Sequence, residues 1–274
     1  MRAMFRIRSL GAALLLGLST FCAAATAPSS VYLEELTSTE VRDAVAAGKT
    51  TVIVPVGGTE QSGPHIVLGK HNVRAHVLAG RIATALGNAL VAPVVAYVPE
   101  GAPTPPQAHM RWAGTITVPE SAFETVLEYA ARSFKQHGFH DVVLIGDHGG
   151  YQKSLEKVAA RLNREWGKGS PTRVHAVTEY YRNADVDFTR LLVRQGFSSQ
   201  EIGTHAGLAD TALSLAVDPS LVRVDRLKGP APGPADGVTG DPRRAVAAAA
   251  QVGQVGLDLI VEHTRDAIRA ATRR

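Results

Sequence analysis

Four short runs in this chain are β-branched and apolar almost without interruption: TVIVPV (Thr51–Val56), LVAPVVAYV (Leu90–Val98), DVVLI (Asp141–Ile145) and RVHAVTEY (Arg173–Tyr180). A strand that is apolar throughout needs cover on both faces, which a parallel sheet between two helix layers provides. Helical periodicity fills the gaps, over Ser38–Ala47, Val73–Gly87, Glu120–His137 and Gln152–Trp166. The alternation predicts an α/β fold, a three-layer α/β/α sandwich with a mostly parallel central sheet. The third helix shows its boundaries: Thr117 or Pro119 opens it, Glu120 suits its first turn, and Gly138 closes it. Shorter helical pieces follow near Asp187–Arg194 and Leu208–Val217, then a Pro- and Gly-rich loop from Gly229 to Gly240 and a long final helix from about Pro242 to Thr272.

The N-terminus does not fit this alternation. Arg2, Arg6 and Arg8 precede an apolar run from Leu10 to Ala25, with small Ala23 and Ala25 at its end. This is the layout of a secretory signal peptide cut near Ala25, and the run is short for a membrane span. The expected organisation is a signal peptide at 1–25, a short linker at 26–32 and a single α/β domain at 33–274, in a periplasmic or secreted protein. Bulky Phe21 before Cys22 argues against a lipoprotein. Cys22 is the chain's single cysteine, so the mature protein would have no thiol nucleophile or thiolate ligand. The formal charge of +4 falls to +1 once the three leader arginines are removed. That takes away the main support for a nucleic-acid partner, and no membrane contact is expected after cleavage.

The polar residues gather in loops that follow predicted strands: GTEQSGPHIVLGKHN (58–72) after the first, PEGAPTPPQAHMRWAGT (99–115) after the second and GDHGG (146–150) after the third. Ligands of open parallel sheets bind outside the carboxyl ends of the strands, so the three loops should converge. Imidazoles and carboxylates of this kind suit a divalent ion such as zinc. His148 follows a hydrophobic strand and precedes two glycines, and Glu60 and His71 share one glycine-rich loop. His65, after Pro64, reads equally as a functional residue or as a pin for that loop. Asp147 reads as a carboxylate that orients His148 or as a turn residue. His76, His137, His140, His175 and His263 read as structural. GxSxG, GxGxxG and the phosphate-binding P-loop pattern are absent.

Five ordered blocks resemble the creatininase, or creatinine amidohydrolase, family. They are VPVGGTEQSGPHIVLGKH (54–71), HMRWAGT (109–115), GFHDVVLIGDHGGY (138–151), HAGLADTA (205–212) and GVTGDP (237–242). The resemblance implies a creatininase-like α/β/α fold, a hexameric homo-oligomer, one or two divalent ions (Zn, Mn or Fe) and hydrolysis of amide bonds in small nitrogen compounds. It places metal ligands at Glu60 and His148, a residue near the scissile bond at His205, and an acidic site residue at Asp210. The chain departs from the family pattern at two positions. Ser62 stands where the family has a histidine ligand, and His71 where it has a bridging aspartate. A neutral imidazole has one free lone pair and cannot bridge two cations. What remains is Glu60, His71 and His148, expected to hold one ion, zinc first.

On this reading the protein is a metal-dependent hydrolase of a C–N bond, possibly in a cyclic amide, in a small molecule. His205 and Asp210 would move the proton, and Ser62, His65, His109, Arg111, Trp112 and Asp147 would touch substrate or support the ligands. A metal-dependent lyase or isomerase on the same scaffold, and a non-catalytic binding protein that keeps the fold, are the alternatives.

Overall fold

The computed structural model describes residues 30–273, and the expected signal peptide lies outside the described residues. Helix α1 (Ser38–Ala46) opens on a capping box: Thr37 accepts from the Glu40 amide, and the Glu40 side chain accepts from the Thr37 amide. Strand β1 (Thr51–Val56), helix α2 (Lys70–Leu86), strand β2 (Ala89–Val91), helix α3 (Glu120–Gln136), strand β3 (Asp141–Gly146), helix α4 (Gln152–Trp166) and strand β4 (Arg173–Ala176) follow. The sheet has the order β2-β1-β3-β4 and every pairing is parallel.

The pleat sends alternate residues to opposite faces. Val52, Val54, Val56, Val142 and Leu144 pack on Phe123 and Leu127 of α3 and on Leu155, Val158 and Leu162 of α4. Ile53, Val143 and Ile145 face the other way, against Leu78 and Ile82 of α2. That second layer is completed by α5 (Glu179–Arg182), α6 (Phe188–Arg194), α7 (Ser199–Ile202), α8 (Leu208–Val217), α9 (Ala245–Ala248) and α10 (Gln254–Ala271). One π-turn segment, Asn183–Asp187, joins α5 to α6, and another, Ala249–Gly253, joins α9 to α10. Both faces of β1 and β3 are therefore covered, as their continuous apolar sequences require. Each fully buried leucine contributes about 1.5–3 kcal/mol relative to exposure.

Three boundaries differ from expectation, each for a local reason. β2 ends at Val91, because Pro93 has no N–H to continue the ladder; pairing resumes only at a single Val56–Val95 bridge. β4 ends at Ala176 and the chain turns into α5, so Tyr180 is buried on a helix and not on a strand. α2 starts at Lys70 instead of Val73. Its first two turns thus carry Lys70, His71 and Arg74, cations at the end of a helix that normally repels them by about 0.3–1 kcal/mol each.

Candidate metal centre

Both central strands deliver their loops to one spot. The Tyr151 hydroxyl lies 2.6 Å from the Gly57 carbonyl oxygen and 3.1 Å from the amide nitrogens of Asp147 and His148. It thereby ties the end of β1 to the end of β3. Loop 57–69 is held from outside as well. The Val67 amide donates to the Leu221 carbonyl at 2.9 Å, and Ile66 packs with Leu221, Val222 and Val238. His65 is fully buried, with Nε2 3.0 Å from Thr211 Oγ1 of α8. Burial and the nearby Lys70 lower its pKa to about 4. It pins the loop and does not line the cavity.

Glu60, Glu100, His109 and His148 each point a ligand atom at one place, all within 4.8 Å of one another. His109 Nε2 is 3.2 Å and His148 Nε2 3.4 Å from Glu60 Oε2; His148 Nε2 is 3.8 Å from Glu100 Oε2. The Gly150 amide, 3.1 Å from His148 Nδ1, sets that ring. Glu60 Oε2 and both Glu100 oxygens are buried with no hydrogen-bond donor. Buried carboxylate oxygens are ordinarily satisfied, and two carboxylates with two imidazoles suit a divalent metal. Burial, then the adjacent Glu60, pushes the Glu100 carboxyl up to about 9. Burial takes His148 down to about 4 and lowers His109, which favours the neutral imidazole a metal requires. Gly58 makes the approach possible: at φ +151° it is in a region side chains rarely adopt, and a Cβ there would meet Glu100 Oε1 at 2.7 Å.

His71, expected as a ligand, is not one of these four residues. Its Nδ1 lies 2.6 Å from Asp147 Oδ2 and its Nε2 2.7 Å from Glu60 Oε1. Burial and Lys70 oppose a charge on this ring, but the two carboxylates prevail and its pKa is raised. Both ring nitrogens are thus held by carboxylates, and His71 stands beside the four-residue group. Asp147 likewise does not orient His148. It accepts from His71, from Arg74 Nε at 2.8 Å and from the Tyr180 hydroxyl at 2.8 Å.

Asp210 accepts from Lys70 Nζ at 3.0 Å, Arg74 Nη1 at 3.3 Å and the Ala206 amide at 2.9 Å. Burial opposes its ionisation, yet Lys70 and Arg74 hold its pKa well below the usual range. His205 Nε2 lies 3.0 Å from the Gln61 carbonyl oxygen and 3.2 Å from the Gln61 side-chain amide nitrogen, and its Nδ1 lies 3.7 Å from Glu60 Oε1. Burial, then Lys70, lowers the His205 pKa to about 4.

A cavity of about 320 Å³ opens over these groups, lined by His109, His148, His205, Lys70, Arg74 and Tyr181 among others. Its size fits a small molecule. Arg111 and Trp112 lie outside its lining, and Ser62 is fully buried away from it, its hydroxyl unpartnered. Glu100, Lys70, Arg74 and Tyr181 are site residues that the sequence reading passed over. A carboxylate closing an apolar run and followed by glycine, VPEG, is the signal that Glu100 offered.

A family model for creatinine amidohydrolase matches residues 34–268. The chain is 28% identical over 256 residues to the creatinine amidohydrolase of Pseudomonas putida, a match covering 88% of this chain and 96% of that one. It is 28% identical over 181 residues to the mycofactocin precursor peptide peptidase of Mycolicibacterium smegmatis, covering 64% of this chain and 61% of that one. Among solved structures, the one named creatininase Mn superposes with a TM-score of 0.69 at 25% identity, covering 89% of this chain and all (100%) of that one. A crystal structure of creatinine amidohydrolase gives 0.69 at 24% identity, covering 90% and 99%. With the matching family model spanning most of its length, and relatives that are hydrolases, the chain belongs to the creatininase family.

Proposed function

We propose that this chain is an exported, metal-dependent hydrolase that cleaves a C–N bond, an amide or cyclic amide, in a small molecule. The observation that carries this is the convergence of Glu60, Glu100, His109 and His148 around three buried carboxylate oxygens that lack any donor. These four residues would hold the ion, with zinc or manganese fitting two oxygen and two nitrogen donors. An ion bound there supplies a Lewis acid for the substrate carbonyl and lowers the pKa of water towards about 7.

The chain's own residues do the rest. His205 lines the cavity and, as a neutral imidazole, would take a proton from the attacking water. It returns that proton to the departing nitrogen, so the OH of water ends on the carbonyl carbon and its H on the amine. A hydrogen bond from its Nε2 to the Gln61 carbonyl would leave Nδ1 as the accepting nitrogen. Lys70 and Arg74 line one side of the cavity, where a developing negative charge would be stabilised. The 320 Å³ cavity admits lactams, hydantoins and N-formyl compounds more readily than a folded polypeptide.

The test uses purified protein lacking residues 1–25, with its ion content measured and turnover assayed on a panel of those three compound classes. The expected result is bound ion, turnover lost on chelation and restored by zinc or manganese, and loss of both ion and turnover in His148→Ala. Protein that takes up no divalent ion refutes the metal centre. Ligand binding without turnover and unaffected by chelation would instead mark a binding protein. Export is tested separately, by mass spectrometry of the full chain expressed in a bacterium: an N-terminus near Thr26 is expected, and an intact Met1 refutes it.

A further inference from the structure

Glu60 stands between two places where a cation can sit. Its Oε2 faces His109 and His148 in the four-residue group. Its Oε1 faces the other way, towards His71 at 2.7 Å, Lys70 Nζ at 3.5 Å and His205 Nδ1 at 3.7 Å. The Lys70 side chain is 1% exposed, and its ammonium also lies 3.0 Å from Asp210 Oδ2. The lysine nitrogen therefore sits between the buried Glu60 and the partly exposed Asp210, where a free cation bridging them would sit. Arg74 and His71 contact a third carboxylate, Asp147, which is buried. Three acids meet Lys70, Arg74 and His71 in this half of the site.

We propose that Lys70 is a tethered cation that occupies this second position, so that the centre takes up one divalent ion and no more. This rests on the metal-centre reading above. An ammonium has three donors, and Asp210 and Glu60 account for two. The third is free for the cavity that Lys70 lines, within reach of a substrate carbonyl oxygen as negative charge develops on it. A side-chain cation differs from an ion in one decisive respect: it cannot be removed by a chelator, only by mutation.

The experiment strips metal from the protein without residues 1–25 and titrates it with Mn²⁺ by calorimetry, with bound metal counted by mass spectrometry after desalting. Wild type is expected to take up one equivalent, Lys70→Arg one, and Lys70→Met two, because the ion then fills the vacated place between Glu60 and Asp210. Two equivalents in wild type overturn this inference and leave the metal centre standing; none overturns the metal centre and this inference with it. A folded Lys70→Met protein that still takes up one equivalent also overturns it. Should Lys70→Met fold only when Mn²⁺ is present, by circular dichroism, the ion has replaced the ammonium as proposed; failure to fold in either condition overturns the proposal. On any substrate the panel identifies, Lys70→Met held at one equivalent should lose about 10²–10³-fold in kcat, the effect of removing one oxyanion donor. Its KM should stay near wild type, and an unchanged kcat removes the carbonyl contact from the proposal.

Discussion

Asp147→Asn separates two accounts of the carboxylate beside His148. If Asp147 oriented that histidine, as its place in GDHGG suggests, the substitution would cost about 10- to 100-fold in metal affinity and little stability. The structure gives it a different role. Asp147 accepts from His71 at 2.6 Å, Arg74 at 2.8 Å and Tyr180 at 2.8 Å, all three donors being buried. Asparagine keeps the size and removes the charge, which leaves Arg74 with only Asp210 and His71 with only Glu60. Breaking a buried ion pair by removing one partner costs about 3–5 kcal/mol, out of the roughly 5–15 kcal/mol that holds a domain together.

His148 keeps its Gly150 contact and its place at the end of β3, so its affinity for an ion should not fall. The assay pairs urea unfolding, followed by circular dichroism, with Mn²⁺ calorimetry. Tyr180→Phe is the milder companion. It removes one hydrogen bond to the same carboxylate and should cost about 1.5–3 kcal/mol. The reasoning is refuted by an Asp147→Asn protein within about 1 kcal/mol of wild type, the range of ordinary substitutions, that binds its ion tenfold more weakly.

Three further substitutions probe the rest of the site. Glu100→Gln should weaken ion binding at least about tenfold, as loss of a ligand does; unchanged ion affinity in calorimetry removes Glu100 from the ligand set. Gly58→Ala places a methyl 2.7 Å from Glu100 Oε1 at a backbone φ of +151°. Ion affinity should drop in the calorimeter together with about 1–3 kcal/mol of backbone strain in urea unfolding, and wild-type affinity would show that Glu100 need not come so near. His205→Gln should retain its ion by mass spectrometry and lose about 10²–10⁴-fold in kcat, whereas loss of the ion would make His205 a ligand.

How much of this was legible depends on whether the deciding neighbours are near in sequence. β1 and β3 are buried on both faces, and their uninterrupted Val, Ile and Leu show it, so their limits agree with the pattern to within a residue. β2 looked longer than it is because Leu90–Val98 stays apolar past Pro93, and apolar character does not register a missing amide hydrogen. β4 looked longer because Tyr180 is apolar enough for a strand and equally suited to the helix it joins. The first turn of α2 was hidden because Lys70 and His71 are poor company for a helix N-terminus. They are stable there because Glu60, Asp147 and Asp210 come in from three other segments.

The same cause explains the revised ligand set. A histidine is a ligand, a base or a cation according to which groups hold its two nitrogens. For His71 those are Glu60, 11 residues away, and Asp147, 76 residues away. Its sequence context, in a glycine-rich loop beside a carboxylate, fits all three states equally. Glu100 was passed over for the complementary reason, since an acid among prolines and glycines reads as solvated loop, and only folding shows it to be 2% exposed and without a donor. A carboxylate buried that deeply is costly unless a cation accompanies it. His71, held between two carboxylates, and the donor-less oxygens of Glu60 and Glu100 therefore describe one arrangement. Lys70, Arg74 and His71 crowd one half of the site, and the other half gathers two carboxylates and two imidazoles, which is where the proposed ion would sit.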